Sequence, residues 1–423
     1  MEFKFIHAAD IHLDSPLVGL ARYDGAPVKY VRTAAREAFN NLINLALQEK
    51  VSFLVIAGDL YDGDWRDYNT GLFFAAQMTR LREARIRAFI VRGNHDAASQ
   101  ITKHLSLPDN VQEMSCDAPE VKCLDDIGVA IHGQGFSKAA ITEDLSRNYP
   151  DPLQGYFNIG VLHTCASGRE GHESYAPCDI NSLAVKGYDY WALGHVHKRE
   201  VLKKDPWIVF PGNIQGRHIR ETGSKGCSLV SVNEGRIEAV QHRNLDILRW
   251  SLCEINASGA ADLDDILERA KQVLETEIAH AEGRLLAVRF LVSGACPAHN
   301  NIFAAPESLI NNLRQLATDL GAGHLWVEKV KIDTRRLVSQ EEVLSLPPVE
   351  SLVQYIRELA NDEGAIVGLL AEFAALKKAL PPELYEDDGI SLKDSRYLQG
   401  LLPQVEELLL SRLRGKEALT GDI

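Results

Sequence analysis

The run Ser52-Phe53-Leu54-Val55-Ile56-Ala57, followed at once by Gly58-Asp59-Leu60-Tyr61-Asp62, decides how the first half of this chain is read. Six uncharged residues, rich in branched and aromatic side chains, read as a strand buried on both faces. The glycine and aspartate that follow read as a turn that carries a chemical group. The pattern recurs. Phe3–Ala9 leads into Asp10-Ile11-His12, and Ala88–Arg92 leads into Gly93-Asn94-His95-Asp96. Asn158–His163 ends on a histidine, and Tyr190–Leu193 leads into Gly194-His195-Val196-His197. Val129–His132 is a further buried strand. Between the strands, Arg32–Lys50 places Ala35, Ala38, Phe39, Leu42, Ile43 and Ala46 on one helical face, and Gly71–Glu83 reads as a second helix. Strands alternating with helices imply an α/β sandwich. Loops after the carboxyl ends of such strands open into one crevice, so five turns far apart in sequence are brought together.

The crevice would then hold Asp10, His12, Asp59, Asn94, His163, His195 and His197, with His95 beside them. Imidazole and carboxylate donors together suit borderline transition metals, whereas an all-oxygen set would suit magnesium or calcium. Seven donors exceed what one catalytic ion with an open position can use. They fit two ions that share one carboxylate, and Asp59 is the natural bridge. Two ions roughly 3.5–4 Å apart can activate a bridging water as hydroxide and clamp a phosphoryl oxygen. The flanking residues Asp14, Asp62 and Asp96 are candidates for fixing histidine tautomers. His7 reads as a core residue inside the first strand, and His132 is similar, although Gly133-Gln134-Gly135 after it could approach the crevice.

Past residue 200 the pattern turns to strands at Trp207–Phe210, Ser228–Val232 and Ile237–His242. Then a β-α-β-α-β string follows: Leu248–Ile255, Asp262–Ala281, Leu285–Val292, Glu307–Leu320 and Leu325–Ile332. The remainder is helical in pattern. Its apolar stripes run through Leu352, Val353, Ile356, Leu359, then Ile366, Leu370, Phe373, Leu376, and finally Leu398, Leu401, Leu402, Val405, Leu408, Leu409, Leu413. Either set could dock on a partner's coiled coil, or the helices could pack on each other. The expected division is 1–243, 244–337 and 338–423.

The 423 residues carry a net charge of −14, and the part from 337 onward carries −8 of it. Bulk positive charge is therefore not how this chain would hold a nucleic acid. No apolar run approaches the roughly 18 residues of a membrane span. The first residues read as a strand rather than a signal peptide, and seven scattered cysteines with no CxxC pair suit reduced thiols in a cytoplasm.

The ordered set DIH, GDLYD, GNHD, H and GHVH resembles the calcineurin-like metallophosphoesterase superfamily over residues 1–240. More narrowly, the opening FIHAADIHLDSPL and the stretch Phe210-Pro211-Gly212-Asn213-Ile214-Gln215-Gly216-Arg217-His218 resemble the SbcD-like DNA repair exonucleases, in particular the YhaO-like bacterial group. The resemblance implies two mixed sheets flanked by helices, a small α+β domain that caps the site and engages DNA, and a helical tail. It implies two divalent ions, expected to be Mn2+. Asp10, His12, Asp59 and His197 would hold one; Asp59, Asn94, His163 and His195 would hold the other. His95 would be the catalytic histidine. The implied partners are DNA, an SbcC-like coiled-coil ATPase and a second copy of the chain. The implied reaction is hydrolysis of DNA phosphodiester bonds.

Other readings stay open on the residues alone. Arg217, His218 and Arg220 could contact DNA phosphates or be solvated loop charges. The same ligand set would serve a phosphodiesterase or phosphatase of small nucleotides. A scaffold for an ATPase partner, without activity, is the third reading. Tyr23, Asp24, Arg66 and Tyr68 follow ligand-bearing turns and could touch DNA, though surface-loop identity is the default.

Overall fold

The computed structural model describes residues 1–15, 28–62, 68–98, 107–166, 176–337, 347–362, 364–366, 397–406 and 409. Contacts divide the chain into two units. One comprises Met1–Glu254, Ala270–Leu291 and Leu313–Lys331; the other comprises Ile255–Arg269, Val292–Asn312 and Ile332–Ile423.

The first unit contains two six-stranded sheets. One has the order β12 (Arg236–Asn244), β11 (Gly226–Asn233), β1 (Glu2–Ala8), β2 (Phe53–Ala57), β3 (Arg87–Val91) and β4 (Val111–Glu113). The other has the order β5 (Glu120–Leu124), β6 (Val129–Gly133), β7 (Phe157–His163), β8 (Tyr190–Gly194), β10 (Trp207–Phe210) and β9 (Glu200–Lys204). Both sheets are mixed. β1 runs parallel to β2 and antiparallel to β11, and β6, β7 and β8 are parallel while β5 and β9 run against their neighbours.

Side-chain alternation explains why the central strands read as unbroken apolar runs. Phe5, Phe53, Val55 and Phe89 point into the space between the sheets, against Ile131, Ile159, Val161, Tyr190 and Val209. Ile6, Ala8, Leu54, Ile56 and Ile90 point the other way, onto α1 (Val28–Glu49) and α2 (Tyr68–Glu83) through Phe39, Leu42, Phe74 and Met78. The outer face of the second sheet is covered in the same way, with Trp191, Leu193 and Phe210 packed on Tyr149, Leu183 and Tyr188. Each such strand buries apolar groups on two faces at roughly 25 cal/mol per Å2.

The two sheets meet with their carboxyl ends at one place. A Cβ on Gly194, at the end of β8, would lie 1.8 Å from the Ala57 carbonyl oxygen at the end of β2. Gly58, with φ +90°, would put a Cβ 2.2 Å from His163 Nδ1. Both positions need glycine for the sheets to approach this closely.

A third, three-stranded sheet has the order β13 (Leu248–Asn256), β14 (Leu285–Cys296), β15 (Leu325–Arg336), accompanied by α5 (Leu263–Ala281) and α7 (Pro306–Gly321). In the first unit Leu248, Trp250, Ala287 and Trp326 pack on Ala34. In the second unit Ile356 of α8 (Pro347–Asn361) packs with Ile366, Leu398 and Leu402, joined by Leu352, Leu359, Leu401 and Leu409. The tail stripes thus pack on one another among the described residues. Leu370, Phe373, Leu376, Leu408 and Leu413 lie outside them.

Candidate metal centre

The five turns converge. Asp10 leaves β1 with its N–H donated to the Gly58 carbonyl at 3.0 Å, and His12 donates its N–H to the Asp59 carbonyl at 3.0 Å. The backbone there is strained: Asp10, His12, Asp59 and His195 all have positive φ, at 51°, 45°, 52° and 100°. Four non-glycine residues in that region, gathered at one place, are the kind of strain that marks a functional site.

Among the described residues three donor groups form; His12, Asp62 and His95 make one, and the other two lie among the sequence-predicted donors. Asp10, His12 and His197 present one ligand atom each within 4.8 Å of one another, and Asp59, His163 and His195 do the same. Asp59 touches both. Its Oδ2 lies 3.8 Å from His12 Nε2 and 3.4 Å from His163 Nε2. Asn94 Oδ1 lies 3.0 Å from His163 Nε2.

Contacts on the far side of the His163, His197 and His12 rings show what these donors want. His163 Nδ1 is 3.0 Å from the Ala57 carbonyl oxygen, which can only accept, so Nδ1 carries the proton. His197 Nδ1 donates to Glu221 Oε1 at 2.6 Å, and His12 Nδ1 faces Asp62 Oδ1 at 3.4 Å. In neutral rings the Nε2 lone pairs then point inward. His12 Nε2 and His197 Nε2 face each other at 3.2 Å, and His163 Nε2 faces two oxygens. Lone pairs aimed at one another repel unless a proton or a metal cation lies among them. Outward Nδ1–H bonds that turn Nε2 to a common point are the arrangement of metal-ligating histidines. The residues present therefore fit divalent ions.

Electrostatics follow from burial. Burial raises the Asp10 carboxyl above its ordinary range, against the pull of His197 and His163. Burial acts the same way on Asp59, but His163, His12 and His95 together hold it well below that range. His163 is opposed by burial yet held up at about 9, chiefly by Asp59, whereas burial and then the Arg217 charge push His12 down to about 4. Clustered, mutually dependent charges of this kind are what a bound cation replaces.

His95 stands beside the donors, its ring 5.0 Å from that of His12. Its Nδ1 lies 2.9 Å from Asp62 Oδ1, and this contact raises its pKa above the usual imidazole value. Arg217 lies next to the same carboxylate, 3.8 Å from Asp62 Oδ2. His218 is exposed, 3.5 Å from Glu221, and exposed Arg220 acts on it through its charge.

Of the three aspartates read as tautomer-fixing, only Asp62 touches histidines. Asp96 accepts the N–H groups of Leu60, Tyr61 and Gly93, so it holds two ligand-bearing turns together instead. Asp14 pairs with Arg36 and Thr70. Sequence reading missed Glu221, because one glutamate in a basic loop carries no periodic or motif signal. His7 is a core residue, held between Tyr190 Oη and the Leu193 carbonyl. The chain after Gly135 does reach the site, where Phe136 stands edge-on to His163 at 5.5 Å. Tyr23, Asp24 and Arg66 lie outside the described residues, as does the side chain of Tyr68.

Two six-stranded sheets with this donor set at their joined carboxyl ends define a metallophosphoesterase. Residues 3–199 match the calcineurin-like phosphoesterase family, and residues 250–335 match the middle domain of the metallophosphoesterase YhaO. The chain belongs to the calcineurin-like metallophosphoesterases, and within them to the YhaO-like group. It is similar to the uncharacterized metallophosphoesterase YhaO of Bacillus subtilis, at 34% identity over 300 residues, covering 70% of this chain and 73% of that one. It is more distantly similar to the DNA double-strand break repair protein Mre11 of Sulfurisphaera tokodaii, at 25% identity over 60% of this chain and 66% of that one. A solved dimetal phosphatase from Danio rerio is similar at 13% identity and a TM-score of 0.36, covering 57% of this chain and 96% of that one. Among the described residues no helix is long and apolar enough to cross a membrane.

Proposed function

We propose that this protein is a di-metal nuclease that hydrolyses DNA phosphodiester bonds. The observation that carries the reading is the pair of inward-facing donor groups joined by Asp59. Asp10, His12, Asp59 and His197 would hold one ion, and Asp59, Asn94, His163 and His195 the other. Bound divalent ions, for which we propose Mn2+, supply a water nucleophile at neutral pH and neutralise charge on phosphoryl oxygens.

The chain's own residues do the rest. Asp62 holds His95 by Nδ1 and favours its protonated form, leaving Nε2 to hand a proton to the departing sugar oxygen. Arg217, beside Asp62, is placed to bind a non-bridging oxygen of the same phosphate. His218 and Arg220, further out on that loop, would meet neighbouring phosphates. DNA rather than a free nucleotide is supported by the similarity to Mre11 and by the middle segment, which a small substrate does not require. The reading includes a catalytic part at 1–243, a capping part at 244–337 and a helical part at 338–423. It also includes a coiled-coil ATPase partner, a second copy of the chain, and a cytoplasmic location.

The test offers purified protein a linear duplex, a DNA hairpin, a cyclic nucleotide and a nucleoside monophosphate, with and without Mn2+. DNA degradation that needs the metal and is lost in Asp59→Ala supports the reading. Intact DNA with hydrolysis of the small nucleotides overturns it in favour of a nucleotide phosphodiesterase or phosphatase. Binding of no divalent ion would leave a scaffold.

A further inference from the structure

Glu221 is 7% exposed, and both of its carboxylate oxygens are engaged. Oε1 takes the Nδ1 proton of His197 at 2.6 Å. Oε2 takes the Asn213 Nδ2 proton at 2.8 Å and the backbone N–H of Arg217 at 2.8 Å. The Arg217 guanidinium lies 3.7 Å from Oε1 through Nη2, and its Nη1 lies 3.8 Å from Asp62 Oδ2. The loop from Asn213 to Glu221 is thus wound around one carboxylate.

The far side of the loop is fixed as well. Gln215 Oε1 accepts the N–H groups of Ile247 and Leu248, and its Nε2 donates to the Leu248 carbonyl at 2.6 Å. Trp250 Nε1 donates to the Gly216 carbonyl at 3.0 Å. On its other side the loop meets His197, to whose carbonyl Asn213 donates its N–H at 3.3 Å. Lys225 closes the arrangement by donating to the His197 carbonyl at 3.0 Å.

We propose that Glu221 is a positioning residue that couples metal binding to substrate binding: one carboxylate fixes the His197 ring toward an ion and sets the backbone from which Arg217 reaches the phosphate. This rests on the di-metal reading above. With a divalent ion held by His197, the Nδ1–H bond to Glu221 would strengthen, since metallation makes the ring a better donor. That bond holds the carboxylate in place, and the carboxylate holds the Arg217 N–H. Metal occupancy would therefore steady Arg217 in its binding position, and a phosphate on Arg217 would favour the occupied site in return. Coupling between two ligands through a shared element is reciprocal.

The experiment is a Mn2+ titration of the metal-free full chain by calorimetry, wild type against E221Q and E221A, together with kcat and KM for bis(p-nitrophenyl) phosphate. Glutamine keeps the size of the side chain but loses the charge and one acceptor. E221Q should weaken one of two ions on the order of 10–100-fold and leave the other unchanged. Its metal-free form should lose some melting temperature, because a buried acceptor of three protons is altered, while the unaffected ion keeps wild-type affinity, which separates positioning from folding. Saturating Mn2+ should restore kcat while KM stays raised, because Arg217 has lost its anchor. E221A should show the same split with a larger loss. Wild-type affinity for both ions in E221Q overturns the proposal, whatever happens to KM. Equal weakening of both ions with a lowered melting temperature overturns it too, by showing a merely structural role. A wild type that takes up no divalent ion would overturn the di-metal reading itself, and this proposal with it.

Discussion

Asp62 faces two histidines from one carboxylate, His95 at 2.9 Å and His12 at 3.4 Å. The contact raises the pKa of His95, so the ring keeps its proton to higher pH than a free imidazole. A proton donor of this kind loses activity as pH rises through its pKa. Removing the charge lowers that pKa, so in Asp62→Asn the alkaline limb of kcat should move to lower pH. The measurement is a pH profile of phosphodiester hydrolysis at saturating metal, and a limb that stays in place would show that Asp62 does not set the proton on His95. His95→Gln should lower kcat by about 100-fold or more while metal content stays at the wild-type level. At this scale the candidate donors other than His163 were legible because each sits in a short motif beside a second polar side chain, whereas His163 was marked only by ending an apolar strand. Glu221 was not. Its role depends on a loop that folds back 24 residues after His197, and no local pattern records that return.

The strands that carry the site were legible for a physical reason. β1, β2, β3, β7 and β8 are buried on both faces, so they appear in sequence as unbroken apolar runs. β4, β5 and β9 were not read, since they are three to five residues long and mostly half-exposed, and only pairing with a neighbour makes them strands. The short α3 (Asn94–Ala98) likewise escaped periodicity, although it places both Asn94 and His95. Its start is held by Asp96, whose carboxylate binds the Gly93 N–H and the Leu60 and Tyr61 N–H groups across the gap. The junction of β8 with β2 is as exacting. A methyl group on Gly194 would collide with the Ala57 carbonyl, which is backbone and cannot rotate away. Gly194→Ala should therefore lower stability by more than about 2 kcal/mol. Thermal unfolding of the metal-free protein checks this, and an unchanged melting temperature would mean that the sheets can separate at their ends at little cost.

At the scale of the whole molecule, periodicity gave alternating strands and helices but not their partition. That twelve strands form two sheets, six and six, was carried by the resemblance, because the register between sheets leaves no trace in a single strand. Charge behaves in a similar way. The sequence shows a basic run from Lys198 to Lys225, and folding reduces what it can offer. Lys225 is 7% exposed and its ammonium is bound to the His197 carbonyl. Arg199 and Arg217 are both half-buried, but Arg217 stands at the donor cluster beside Asp62, so Lys198, Lys203, Lys204, Arg217 and Arg220 remain to meet a phosphate backbone. Each phosphate neutralised contributes about −0.9 to the slope of log affinity against log salt for duplex DNA. Five such contacts, on a chain of net charge −14, predict weak binding with a slope no steeper than about −4.5. Fluorescence anisotropy of a labelled duplex, with hydrolysis blocked by His95→Gln, measures it. Charge reversal at both Lys203 and Lys204 should make the slope shallower by about 2. A slope near −10 in the parent protein would place the DNA on a different basic surface, because the loop at the donor cluster and the edge strand β9 together do not carry enough charge to produce it.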